Sequence, residues 1–259
     1  MAQGDLTTLA NVKQWLAITS TTQDPLLGRL ITAVSAFVAQ WISRPNIGST
    51  TYSERYDGNG NDTICLRNGP VTSIQSILFD GLAITTAATG NPPTGGWLLD
   101  TSINLARVTL TDYTFGYDKQ SVLVTYTAGY LKSAEAHAVA TTVTPVFTWF
   151  SDSGVTYANG TALTAVASAP TTGQYAVSNG VYVFAAGDVG AQVLISYGYV
   201  PPDLEACVIE LVGEKYRAMD RIGIITKTLG GQEVITYSQA DMGKAIKLYL
   251  MQYSRVAPI

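Results

Sequence analysis

The chain has 259 residues, enough for one large domain or two small ones, and 47% of them are hydrophobic against only 13% charged, where about 25% charged is usual. The net charge of −4 argues against a protein that grips nucleic acid by its phosphates, because that affinity comes from clustered Lys and Arg. Cys65 and Cys207 stand far apart without metal or redox spacing and read as two reduced core thiols. The N-terminal stretch lacks the basic-then-apolar pattern of a signal peptide, and no apolar run approaches the ~20 residues of a membrane span.

Residues 6–18 predict a short helix with Leu9, Val12, Trp15 and Leu16 inward. Asp24-Pro25 then gives an N-cap and a proline at the first helical position. A long helix follows, in which Leu27, Leu30, Ile31, Val34, Phe37, Val38, Trp41 and Ile42 hold one stripe until Pro45. Such a stripe reads as a core helix.

From Thr51 the period changes to two. Residues 52–56, 63–66, 74–80, 82–85, 97–99, 105–110 and 122–126 read as strands, with turns at 57–62 and 68–70 and a longer loop at 90–96. Short strands joined by turns predict a small antiparallel sheet or barrel.

Between Lys132 and Lys215 there is neither Lys nor Arg. Strands are expected at 146–150, 174–177, 181–185 and 193–197. A weak echo brackets this region: Val122-Leu123-Val124-Thr125-Tyr126 before Gly129-Tyr130 resembles Val193-Leu194-Ile195-Ser196-Tyr197 before Gly198-Tyr199. The pattern predicts a β module at 131–198 inserted into a loop of a core made of 1–130 and 199–259, which costs little if the module's ends lie close together.

The best-specified helix begins after the second copy, at 201–223. Two prolines open it, Asp203 and Glu205 lie in its first turn, and Lys215, Arg217 and Arg221 lie toward its end, as the helix dipole favours. Leu204, Val208, Leu211, Val212, the Lys215 stem and Met219 form an apolar face expected to pack on the 24–44 helix. Glu210, Glu214, Arg217 and Arg221 form a charged face. Residues 224–237 read as a mobile hairpin or arm, and 241–253 as a final helix with Met242, Ala245, Ile246, Tyr249 and Leu250 on one side.

Catalysis has little support. His137 is the single histidine, with no nucleophile pattern near it, and reads as a surface residue. The 57–62 turn resembles a calcium loop only faintly, since an EF-hand would carry Gly at 62 and Glu at 68, and Asp62 and Asn68 stand there. No catalytic residue, metal site or cofactor is expected. The plentiful Tyr and Trp suit interfaces or sugar binding.

Three stretches together resemble the head–tail connector (adaptor) proteins of tailed bacteriophages. They are LANVKQWLAITSTTQDPLLGRLITAVSAFVAQWISR at 9–44; the series Tyr56-Asp57-Gly58-Asn59-Gly60, Leu66, Gly69-Pro70-Val71, Ser73-Ile74 and Asp80-Gly81; and Tyr126 with Gly129-Tyr130, or its echo, ahead of Pro202-x-Leu204 and the helix through Tyr216 to Gly223. The 131–198 region departs from the family pattern and resembles an Ig-like sandwich.

The resemblance implies an α+β protein: a helical bundle core with a small antiparallel β-sheet domain, plus the inserted all-β module. It implies a structural virion protein without enzymatic activity, made in the host cytoplasm and then carried at the head–tail junction. It further implies a homo-oligomeric, twelve-fold ring beneath the portal protein that extends the DNA channel and docks a stopper or tail-completion protein. DNA would pass without sequence-specific binding, and no membrane is involved.

By that carry-over, Glu210, Glu214, Arg217 and Arg221 are candidates for an intersubunit or channel face. Lys247, Tyr249, Tyr253, Arg255, Val256 and Ile259 are candidates for a portal-contacting segment, and Lys227, Gly230, Gly231 and Glu233 for a flexible arm. The alternative reading, drawn from the uncharged, Tyr-rich insert, is a carbohydrate- or host-surface-binding module on a virion core.

Overall fold

In the computed structural model, residues 4–90, 92–101, 106–219, 226–229, 233–236 and 242–255 are described. The N-terminal helix α1 (Leu9–Leu16) starts at Thr8, whose side chain accepts a hydrogen bond from Asn11 N, and stops at Ala17 in the left-handed conformation. Helix α2 (Asp24–Trp41) has Pro25 in its first turn, where a missing amide costs nothing. Helix α3 (Pro202–Ala218) carries Asp203 and Glu205 at its start and Lys215 and Arg217 at its end. Helix α4 (Lys244–Met251) closes the described chain.

These four helices share one core. Leu27, Ile31, Val34 and Val38 of α2 meet Leu204, Val208, Leu211 and Val212 of α3, as the apolar face of α3 predicts, and Ile246 and Leu250 of α4 join them. Each fully buried side chain contributes about 1.5–3 kcal/mol. The stripe on α2 nevertheless divides. Phe37 and Trp41, expected inside, are 43% and 45% exposed, as is Trp15 of α1 at 62%. Ser35 is buried instead, because the N-terminal segment crosses α2 there and Leu6 N donates to Ser35 Oγ at 2.9 Å. Met219, expected on the apolar face of α3, is also exposed.

A second core lies between two antiparallel sheets. One has the order β1 (Thr50–Tyr56), β7 (Val122–Ala128), β3 (Val71–Phe79), β4 (Leu82–Ile84). The other has the order β2 (Thr63–Cys65), β6 (Arg107–Leu110), β5 (Trp97–Asp100). Strand β7 is central, and its alternation turns Val122, Val124, Tyr126 and Ala128 inward.

The third core draws only on residues between 139 and 199. One sheet has the order β10 (Trp149–Tyr157), β14 (Gln192–Tyr199), β8 (Leu131–Ala138). The other has the order β11 (Thr164–Ala165), β12 (Gln174–Ser178), β13 (Val181–Phe184), β9 (Thr142–Val143), with β11 and β12 parallel. Strand β8 has no apolar alternation and is absent from the sequence-based expectation. It forms because β14 supplies its hydrogen bonds, pairing His137 with Val193 and Leu131 with Gly198.

The two halves of the sequence echo meet at this seam. Tyr199 N donates to Tyr130 O at 3.2 Å, and the two rings stand edge to face at 5.9 Å. Glycine is required twice here. A Cβ on Gly129, whose φ is 125°, would fall 2.2 Å from Gly48 O, and one on Gly198 would fall 2.4 Å from Ser151 Oγ and 3.0 Å from Gly48 Cα.

The hairpin expected after α3 is present as β15 (Thr226–Leu229) paired antiparallel with β16 (Glu233–Thr236). The expected helical bundle core, with a small antiparallel sheet and an appended Ig-like module, is corrected by this architecture. Strands outweigh helices among the described residues, and the helical core, though the largest, is one of three, the other two built from strands. The strong periodicity of α2 and α3 makes helices conspicuous in the sequence. Short strands, each too brief to show a period alone, fill more of the chain.

Candidate interaction surfaces

Helix α3 joins the regions through its first turn. Glu205 Oε1 accepts from Thr7 Oγ1 at 2.9 Å and Asn11 Nδ2 at 2.7 Å, and Oε2 accepts from Thr148 Oγ1 at 2.7 Å. One carboxylate thus ties the N-terminal segment, α1 and the loop before β10 to α3. Sequence reasoning read Glu205 only as a dipole charge. Its three partners lie far away in sequence, so no local signal marks them. Asp203 accepts from the Tyr253 hydroxyl and from Gln252 Nε2, fixing the segment after α4.

The charged face of α3 is where the sequence puts it: Glu210, Glu214 and Arg217 are exposed on one side. Arg221 lies outside the described residues, as do Gly230, Gly231, Val256 and Ile259. Lys227 and Glu233 lie on β15 and β16.

Beside that face runs an apolar groove of about 590 Å³ between α2, α3 and the start of α4. Leu30, Phe37 and Trp41 form one wall, and Lys215 and Lys247 line it too. The Phe37 and Trp41 rings lie 6.3 Å apart, with the Lys247 ammonium 5.9 Å from the Trp41 centroid.

On α4 the buried positions are Met242, Ile246, Leu250 and Tyr253. Ala245 and Tyr249, expected on the same side, are exposed, as are Lys247, Leu248 and Met251. Among the candidates in this segment, Lys247 and Tyr249 therefore face outward. Tyr253 is buried, and Arg255 forms an ion pair with Glu54. Burial, then the hydrogen bond to Asp203, pushes the Tyr253 hydroxyl well above the usual phenol range.

A cleft of about 280 Å³ opens where the end of α2, the turn at 67–71 and the C-terminal segment converge. Arg44, Arg67 and Arg255 line it, with Val71, Tyr130 and Tyr253 among its walls. Arg44 sits 5.9 Å from the Tyr130 centroid and Arg67 4.6 Å from that of Tyr56. The Tyr130 and Tyr52 hydroxyls are raised, first by burial, although the charge of Arg44 opposes the shift in both.

The unit at 131–199 pairs its acidic residues with tyrosine hydroxyls, Asp188 buried and Glu135 and Asp152 half-buried. Glu135 accepts from the Tyr197 hydroxyl at 2.6 Å, Asp152 from Tyr175 at 2.6 Å and Tyr182 at 2.9 Å, and Asp188 from Tyr157 at 2.6 Å. Burial, reinforced by these carboxylates, pushes Tyr175, Tyr182 and Tyr197 well above the usual phenol range. These three rings are fully buried, and of the tyrosines in 131–198 Tyr157 is partly exposed. His137 Nε2 lies 2.6 Å from Glu135 Oε1, its neighbour along β8.

The calcium-like turn is closed on itself and on the chain opposite. Asp57 Oδ1 accepts from Gln120 N at 2.7 Å, and Asn59 Oδ1 from Asn61 N at 2.9 Å. Among the described residues no group of three or more His, Cys, Asp or Glu could hold a metal ion. Burial, then the charges of Glu210 and Asp203, pushes the Cys207 thiol up, away from a reactive thiolate.

A family model described as head completion protein matches residues 5–156. No curated protein matches. A solved structure described as the neck of an empty GTA particle, computed with C6 symmetry, is similar at 14% identity and a TM-score of 0.42, over 98% of this chain and 92% of that one.

Proposed function

The chain belongs to the head completion protein family, and from that premise we propose that copies of it form a ring between portal and tail, extend the DNA channel and dock a stopper or tail protein. A structural role in the virion is the reading that membership of a head completion family supports. The finer reading of a twelve-fold ring rests on the resemblance to head–tail connectors of 9–44, of 52–81, and of Tyr126 with Gly129-Tyr130, or its echo, ahead of the helix from Pro202 to Gly223.

The observation that carries it is the uncovered face of the helical unit. Phe37 and Trp41 on α2 and Leu248 and Tyr249 on α4 stand 43–70% exposed beside the charged side of α3. Scattered apolar residues are normal on a surface, but an aromatic-walled groove rimmed by lysines fits an interface. The occupant we propose is the next copy of the chain, whose exposed Glu210 and Glu214 complement Lys215 and Lys247. A heterologous contact of this kind closes into a ring when its rotation closes.

We read residues 131–198 as a module inserted into a core of 1–130 and 199–259. The adjacency of Leu131 and Gly198 across β8 and β14 supports that reading. A weakly acidic chain suits a channel through which DNA must slide. The C-terminal segment from Lys247 onward would face the portal, and the β15–β16 hairpin a neighbouring subunit, the portal or the tail.

Charge reversal on α3 tests the ring. The double substitution Arg217→Glu and Arg221→Glu is expected to abolish ring formation on purified portal, seen by electron microscopy, while circular dichroism and melting of the subunit stay unchanged. Normal ring decoration by the double variant would remove α3 from the interface, and failure of the wild type to decorate the portal would sink the ring itself.

A further inference from the structure

In the cleft between α2, the turn at 67–71 and the C-terminal segment, two of the three lining arginines have no ion-pair partner among the described residues. Among the described residues three arginines line it and no carboxylate does, in a chain whose acidic residues outnumber its basic ones by 19 to 15. Arg255 is answered by Glu54. Arg44 is only 5% exposed, yet its guanidinium reaches the Tyr253 carbonyl, at 3.5 Å, and the Tyr130 ring, while its Nε has no hydrogen-bond partner. Arg67 lies on the Tyr56 ring. Among the described residues, the ion pairs include neither Arg44 nor Arg67. A guanidinium taken out of water without a counter-ion is costly to keep, and that cost falls when an anion arrives.

We propose that this cleft receives the carboxylate of a Glu or Asp side chain presented by an extended segment of a partner protein in the particle. The planar fork of arginine matches a carboxylate with paired hydrogen bonds. Apolar walls from Pro70, Val71 and Ala106 suit the residues flanking the acid. A phosphate backbone fits poorly, because its affinity needs a track of many Lys and Arg, and these three arginines stand in a confined cleft of about 280 Å³. The inference deepens the reading of the C-terminal segment as partner-facing and rests on that reading for the source of the carboxylate.

Fluorescence anisotropy of the full chain with a labelled peptide carrying two glutamates between leucines tests it. The same peptide with glutamines and a single-stranded DNA oligonucleotide serve as controls. The glutamine peptide and the variant Arg67→Met are each expected to bind about tenfold more weakly or worse, with the variant's melting curve checking its fold. The Arg44 Nε–H resonance is expected to move on addition of the glutamate peptide to the wild type, a readout that needs no substitution of a buried residue. Equal binding of the glutamine peptide, an unmoved Arg44 resonance, unchanged binding by Arg67→Met, or displacement of the peptide by DNA would each overturn the proposal. A chain that decorates the portal but ignores the peptide defeats this inference alone. One that takes the peptide but never joins the portal defeats the ring reading and leaves the cleft's chemistry standing.

Discussion

The β unit at 50–128 and the β unit at 131–199 are each two small sheets over one core, yet they neutralise their acids differently. In the first, Glu54 is held by Tyr56 and Tyr126 and also by Arg255, which comes from the far end of the chain. In the second, Glu135, Asp152 and Asp188 each take a tyrosine hydroxyl from within the unit. The second unit has no arginine to offer, and it needs none. A phenol supplies a hydrogen bond without bringing in a second charge to desolvate. The consequence is electrostatic independence: the second unit satisfies itself, whereas the first is tied to the C-terminal segment and to the arginine cleft.

The largest way to break this contrast is Asp152→Ala. It leaves the hydroxyl protons of buried Tyr175 and Tyr182 without their acceptor, and each orphaned donor costs about 1–3 kcal/mol. A loss of about 3 kcal/mol is expected, read by chemical denaturation as a lower midpoint for probes in 131–199. A loss under about 1 kcal/mol would mean that the tyrosine pairs do not hold the unit.

A smaller effect is expected from acid. Burial raises the Glu135 carboxyl, but the hydrogen bonds from Tyr197, His137 and Val146 N outweigh it and hold the group below its ordinary value of 4.5. A depressed carboxyl stabilises the fold above its unfolded pKa, and that contribution is lost as pH falls through the folded pKa. Stability should therefore decline as pH drops below about 4.5. Tyr197→Phe should weaken that dependence, besides costing about 1 kcal/mol at neutral pH. Denaturation curves taken across that range in both proteins check it, and identical slopes would remove Glu135 from the account.

The smallest effect is expected in the first unit. The Arg255–Glu54 pair is partly exposed at the arginine, so Arg255→Ala should cost about 0.5 kcal/mol or less. Raising the salt concentration should shrink the difference, because solvent-exposed pairs are screened. A salt-independent loss of several times that size would show that the pair is a buried strut and that the first unit is as self-contained as the second.

Much of this molecule can be read from local pattern. Pro25 and the apolar spacing after it specify α2, although the cap falls on Gln23, without a side-chain bond, and not on the expected Asp24; two prolines and graded charge specify α3, and turn residues separate the strands of 50–128. The order of these elements points to head–tail connectors, and the family match agrees. Local pattern failed where backbone partners decide. The stretch 131–138 lacks alternation and becomes a strand only because β14 lies beside it.

Which segments are helices and where the chain turns follow from local pattern, because capping, proline geometry and periodicity act over a few residues; the family came from the resemblance of whole stretches, not from any of these rules. Only the tertiary structure decided which side of each element faces in. It left Phe37 and Trp41 outside because the N-terminal segment covers α2 at Ser35 instead. It turned Tyr175, Tyr182 and Tyr197 inward because carboxylates distant in sequence wait there. It also brought Arg44, Arg67 and Arg255 to one cleft. Burial and charge pairing depend on residues dozens to hundreds of positions apart, and no local spacing records them.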